Sequence, residues 1–184
     1  ASGPLTKDET TVADARVILE RYRILEACQL PKCELLETPK DEKYFEKVET
    51  IIIVNNTRAL NAMKVKSEEL GYAATIQKAT LDGEAQIVGA ALAGESITAR
   101  QVFLYGGETT VTMLPAGGRG GRNQELALAA LPYLGADTLL ISLASDGQDN
   151  GEAAGAIADV ISRQTAKKKG LEPALYLQNH NSYS

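Results

Sequence analysis

The sequence predicts an α/β protein of layered α/β/α form, with helices over both faces of a mixed, mostly parallel sheet. Three observations carry that expectation. Short β-branched or apolar runs at residues 50–54, 72–79, 102–105 and 138–143 alternate with stretches whose apolar residues recur at helical spacing. The first run, Thr50 with Ile51, Ile52, Ile53 and Val54, has no in-out alternation, the pattern of a strand covered on both faces in a parallel sheet. Asn, Asp and Gly punctuate the joints, and repeated strand-helix units specify a layered sheet.

Taken in order, Thr11 and Asp14 form a capping box ahead of Val12, Ala15, Ile18, Leu19 and Tyr22, which predicts a helix over residues 11–22. Residues 31–47 hold two prolines and many charges, so a short helix and a connector are expected, with a domain boundary near their end. The strand at 50–54 leads into a helix capped by Thr57, with Leu60, Met63 and Leu70 on one face and Gly71 at the left-handed C-terminal position. A strand at 72–79 and a helix capped by Asp82, carrying Ile87, Val88, Ala91 and Leu92, complete the next unit. The strand at 102–105 precedes the Gly106-Gly107 turn, and residues 109–114 read as its hairpin or bulge partner. Residues 138–143 are the last predicted strand. An Ala-rich helix from near Ala153 then ends at Lys167, Lys168, Lys169 and Gly170, where lysines suit the helix dipole.

A chain of 184 residues holds one full domain, or one domain with part of another. It is 44% hydrophobic and 23% charged with a net charge of −5, which argues against binding nucleic acid or an anionic membrane. No apolar run approaches the roughly 20 residues of a membrane span and no signal peptide is visible, so the cytoplasm is the expected compartment. Cys28 and Cys33 are too few for a zinc site and spaced unlike Cys-x-x-Cys, so they read as reduced structural thiols. His180 is the single histidine, which leaves little material for a Ser-His-Asp triad or a multi-histidine metal centre.

Chemistry concentrates in residues 106–124, between the strand at 102–105 and a helix from near Asn123. Gly117, Gly118, Gly120 and Gly121 let the backbone approach a ligand closely, and the helix start offers N–H groups to an anion. Arg119 and Arg122 add guanidinium groups suited to carboxylate or phosphate, so the loop reads as an oxyanion site. The competing reading is a plain strand-to-helix turn. The paired Gly-Gly-Arg triplets do not make an RNA-binding tail, since they occur once, between ordered elements, in an acidic chain. Neither the P-loop nor the Gly-x-Gly-x-x-Gly fingerprint fits the glycine spacing.

A second candidate follows the strand at 138–143. Asp146 lies just past a strand end, where ligands bind in open α/β sheets, and Asp146 or Asp149 is a candidate ligand for Mg²⁺. One of them could instead orient a hydroxyl for attack on a phosphoryl group. An EF-hand is excluded, because its third and twelfth positions fall on Gln148 and Ile157. A solvated turn capping the next helix is the alternative.

With both loops described, the chain resembles the C-terminal portion of glycerate kinases that carry a MOFRL domain. The likeness covers nearly the whole chain. It rests on Ser2-Gly3-Pro4 with Asp8 and Thr10-Thr11, Asn55-Asn56 with Ala59-Leu60, Gly83-Glu84-Ala85, and Gly106-Gly107-Glu108-Thr109-Thr110-Val111. Further on it rests on Gly120-Gly121-Arg122-Asn123-Gln124-Glu125-Leu126, Asp146-Gly147, Ala153-Ala154-Gly155-Ala156 and Ser182-Tyr183.

The resemblance implies transfer of the γ-phosphoryl of ATP, with Mg²⁺ or another divalent metal, to the C2 hydroxyl of D-glycerate. It implies two α/β domains with the site in the cleft between them, residues 1–49 finishing the first and residues 50–184 forming most of the second. Arg122 and Asp146 are the implied catalytic residues. Gly107, Glu108, Thr109, Thr110, Gly120, Gly121, Asn123, Gln124, Gly147 and Asn181 are the implied substrate or nucleotide contacts, with Asp146 or Asp149 at the metal. Phosphoryl transfer needs positioning and charge stabilisation, which an arginine, an acid and backbone donors supply.

The chain departs from the family pattern at Leu5, where Thr is usual, at Asn150, where the acidic loop has a second glycine, and at Asn181, where an acid is usual. It reads as truncated at both ends, so the 184 residues alone are expected to be inactive. A noncatalytic ligand-binding or regulatory module on the same fold is the alternative from another class. A hydroxypyruvate reductase, the family's older description, ranks behind it.

Overall fold

The computed structural model describes residues 3, 5–31, 34–112 and 117–183. They divide into two compact units, Ala1–Ile53 and Val54–Ser184. Among the described residues no helix is long and apolar enough to cross a membrane.

In the first unit, helix α1 (Val12–Arg21) starts as its capping box requires. Asp14 N–H donates to Thr11 Oγ1 at 3.3 Å, and Thr11 N–H donates to Asp14 Oδ2 at 2.8 Å. A short α2 (Ile24–Ala27) follows, and among the described residues the connector forms a 3₁₀ turn (Glu42–Tyr44). Lys40 Nζ gathers this unit by donating to Asp8 O at 2.6 Å, to Thr10 O and to Thr38 Oγ1. Cys28 is a free thiol but exposed, and so not a structural core residue, while Cys33 lies outside the described residues.

The second unit carries the sheets. Helix α3 (Asn56–Glu69) is capped by Asn55, whose Oδ1 accepts from Arg58 N–H at 2.9 Å, and not by Thr57 as expected. The helix ends at Gly71, with φ +83°, through paired bonds from Gly71 N–H to Glu68 O and from Tyr72 N–H to Ser67 O. Strand β1 (Ala73–Leu81) pairs in parallel with β2 (Gln101–Gly107) across helix α4 (Ala85–Ala93). Leu60, Ala74 and Leu104 make the core between α3 and this pair, whereas Met63 and Leu70 are exposed. The N-cap residue of α4 is Glu84, because Asp82 is drawn back to Lys78 Nζ at 2.7 Å.

Helix α5 (Arg122–Ala130) is the most buried element, and strands β3 (Leu140–Leu143) and β4 (Gly155–Ala158) form an antiparallel pair against it. Ala127, Leu131, Leu134 and Ala158 form that core. The described strands thus make two two-stranded sheets, one parallel and one antiparallel. The mixed α/β character holds, with its strands divided between them.

Helix α6 (Val160–Lys168) is capped by Asp159, whose carboxyl is held below its usual range by the Ser162 hydroxyl and amide. Lys167 and Lys168 occupy its last turn as the dipole favours. Helix α7 (Pro173–Gln178) precedes the final segment.

Three stretches depart from the expected elements. Ile51, Ile52, Ile53 and Val54 are 57–75% exposed and form no strand. β-propensity expresses fit to a half-buried pleated surface, which this run, astride the boundary between the units, does not meet. Of residues 109–114, Thr110 makes a single parallel bridge to Glu84, and Met113 and Leu114 lie outside the described residues. The Ala-rich stretch from 155 pairs as β4 because its alanines pack on α5, which overrides their helix propensity.

Gly89 of α4 lies where an added Cβ would overlap the backbone oxygen of Leu126 in α5. Gly89→Ala is therefore expected to lose about 1–3 kcal/mol despite the better helix former, because neither backbone can yield. A denaturant melt checks this, and a stabilised variant would show that the helices can separate.

Candidate functional site

Three loops of the second unit and its final segment meet at the start of α5. The first, residues 106–112, is laid along residues 81–85 by backbone bonds. Glu108 N–H donates to Leu81 O, Thr110 N–H to Gly83 O and Ala85 N–H to Thr110 O, each at 2.8 Å. Gly107 (φ +151°) must lack a side chain because a Cβ would overlap Leu81. Thr109 is buried under this ladder, and Thr112 donates from its amide and hydroxyl to the Glu84 carboxylate. Glu108 is left exposed beside Arg122, with Oε1 2.6 Å from Nη2.

In the second loop the glycines serve packing inside the protein. A Cβ at Gly118 would overlap Asn181, one at Gly120 (φ +141°) would overlap Ser182 Oγ, and one at Gly121 would overlap Asp149. The amides are used internally too. Gly118 N–H donates to Asn179 O at 2.7 Å and Arg119 N–H to Asn181 Oδ1 at 3.2 Å. Asn181, expected among the substrate contacts, therefore clamps the loop. Tyr183 N–H returns a bond to Arg119 O, and the Arg119 guanidinium stacks 4.7 Å over the Tyr183 ring.

The third loop places its two acids in different settings. Asp146 is exposed, and its Oδ1 accepts from Gln148 N–H at 3.1 Å. Gly147 takes the left-handed turn there, with φ +82°. Asp149 is 3% exposed, and four donors reach its carboxylate. Oδ1 accepts from Asn123 N–H at 3.1 Å and Asn123 Nδ2 at 3.0 Å. Oδ2 accepts from Gln124 N–H at 2.8 Å and Gln124 Nε2 at 3.1 Å.

The helix-start amides expected to meet a ligand thus meet a protein carboxylate, which suits the positive end of the dipole. Asn123 and Gln124 direct these donors to Asp149. These four donors take up the roughly four lone-pair positions that a carboxylate offers. Asn150 replaces a glycine without disruption, since it adopts φ +58° and its Nδ2 donates to Gly120 O at 2.8 Å.

Behind the loops, Glu125 and His180 form a buried contact, Nδ1 to Oε1 at 2.9 Å, and Gln86 Nε2 donates to the same Oε1 at 2.6 Å. This joins α4, α5 and the segment after α7. Sequence reasoning missed this group, whose members are 55 residues apart for His180 and Glu125 and carry no local motif. No group of three or more His, Cys, Asp or Glu is gathered for a metal among the described residues. The exposed Arg122 guanidinium has the charge and donor geometry that suit an anionic group.

Residues 101–184 match the MOFRL family. The whole chain is similar to a glycerate 2-kinase of Pyrococcus horikoshii, 34% identical over 205 residues and covering 46% of that protein. A D-glycerate 2-kinase of Thermotoga maritima is 35% identical over 196 residues, again with 46% of its length covered. The crystal structure of a Thermotoga maritima glycerate kinase superposes with a TM-score of 0.74 at 33% identity, over 96% of this chain and 44% of that one. The chain spans just under half the length of these relatives.

Proposed function

From a chain that carries a MOFRL family domain over residues 101–184, we propose that it is the C-terminal part of an ATP-dependent glycerate 2-kinase. The reaction moves the γ-phosphoryl of ATP to the C2 hydroxyl of D-glycerate. The observation that carries this reading is likeness to glycerate 2-kinases over 100% of the chain, taken with Arg122 and Asp146 on loops that meet at α5.

Arg122 stands at the first position of α5 with its guanidinium toward Glu108, half-exposed and able to exchange that partner for substrate carboxylate or phosphoryl oxygens. Thr109 and Thr110 fix the strand-like segment on which Glu108 stands. Asp146 is the residue that would hold Mg²⁺. That ion commonly takes one or two protein carboxylates together with substrate phosphates and water, so a lone exposed acid suits it. A metal held there would supply charge neutralisation for the phosphates. Its short turn keeps the Asp146 carboxylate in place without burying it.

The intact protein, incubated with D-glycerate, ATP and Mg²⁺, is expected to give 2-phosphoglycerate, identified by phosphorus NMR. Formation of the 3-phospho isomer, or NADH oxidation with hydroxypyruvate and no kinase activity, would replace this reading. The 184-residue chain by itself is expected to give no turnover, because in-line transfer needs groups on both sides of the reacting atoms.

A further inference from the structure

Asp149 sits where an anionic ligand of α5 was expected, and its surroundings are those of a fixed part. Both oxygens are filled by donors from Asn123 and Gln124, and its backbone oxygen accepts a further bond from Gln124 Nε2 at 3.0 Å. Asn123 is held from its other side by Ser142 Oγ of β3 at 2.8 Å. Gly121 can have no side chain because Asp149 lies against it, and Asp149 N–H closes its own loop on Ala153 O at 2.8 Å. The residue after Gly121 is Arg122, and the loop that carries Asp149 also carries Asp146.

We infer that Asp149 is a positioning residue. Its buried carboxylate fills the anion seat at the N-terminus of α5 and ties the helix that presents Arg122 to the loop that presents Asp146. The inference rests on the kinase reading for its consequence in turnover, and on the hydrogen bonds alone for the seat. Ligand anions, on this view, meet the Arg122 side chain and not the helix amides. Replacing the carboxylate leaves the reacting groups present but misplaced, a fault that lowers kcat and leaves KM little changed.

In the intact protein, Asp149→Asn turns an NH₂ toward donors and should lower kcat by about a hundredfold, the scale of small misplacements. KM for glycerate and ATP, and the Mg²⁺ concentration for half activity, should hold. Asp149→Ala empties the seat, so formate should raise its Tm and restore part of its kcat while leaving wild type unaffected. Gln124→Met, which removes only side-chain donors, should lower kcat in the same direction and serves if the Asp149 variants fold poorly.

Wild-type kcat per folded molecule in Asp149→Asn and Gln124→Met overturns the inference. So does a marked rise in the Mg²⁺ requirement, which would make Asp149 a metal ligand, or formate without effect on folded Asp149→Ala. A wild-type protein that phosphorylates no glycerate would refute the kinase reading instead, and formate stabilisation confined to Asp149→Ala would then still support the seat.

Discussion

Arg122→Ala in the intact protein is expected to cut kcat/KM about a hundredfold, or roughly 3 kcal/mol of transition-state stabilisation, and to leave the melting temperature almost unchanged. The two halves of that expectation have separate causes. The Arg122–Glu108 pair is 48% and 72% exposed, and exposed pairs contribute little to folding, so losing it should barely register in a melt. The first position of a buried helix fixes the Arg122 backbone, and a positive charge brought to that place is what a developing phosphoryl transition state requires.

Arg119→Ala is the control. Its side chain stacks on Tyr183 at the surface, an interaction of about 0.5–1 kcal/mol, so activity should fall only slightly. Steady-state kinetics on the two variants decide between them, and equal, mild losses would remove Arg122 from its assigned role.

Asp146→Asn is expected to reduce turnover by about a hundredfold or more while the protein melts normally. The structure supplies the reason for the second half. Asp146 is exposed, and its local bond, Oδ1 accepting from Gln148 N–H, can be made equally by an asparagine oxygen. The negative charge alone is removed, and it is the charge that a divalent metal or a reacting hydroxyl would need. Activity measured against Mg²⁺ concentration, with a parallel melt, checks this. Near-normal turnover, or a protein that unfolds, would make the loop a structural turn.

The structure buries Asp149 and leaves Asp146, just past the strand end, at the surface. A reacting acid must be reachable, as exposed Asp146 is, whereas buried Asp149, its oxygens filled by donors from α5, acts through the helix.

What the sequence alone determined was local. The Thr11 and Asp14 capping box, the glycine end of α3, the lysine end of α6 and the run that became β2 each depend on neighbours within a few residues, and all are present. The motif-level likeness likewise agrees with the match over residues 101–184 and with the whole-chain similarity to glycerate kinases.

Tertiary structure decided everything that depended on a distant partner. Residues 51–54 have the composition of a strand without the burial of one, and β4 has the composition of a helix but the partners of a strand. The glycine loop shows most clearly why. Its glycines and amides were legible as a place for close approach, but what approaches them is Asp149 and residues 179–183, which sequence separation hides. A backbone amide bonds to whichever acceptor folding brings within 3 Å or so, and that choice is made by the packing of the whole unit.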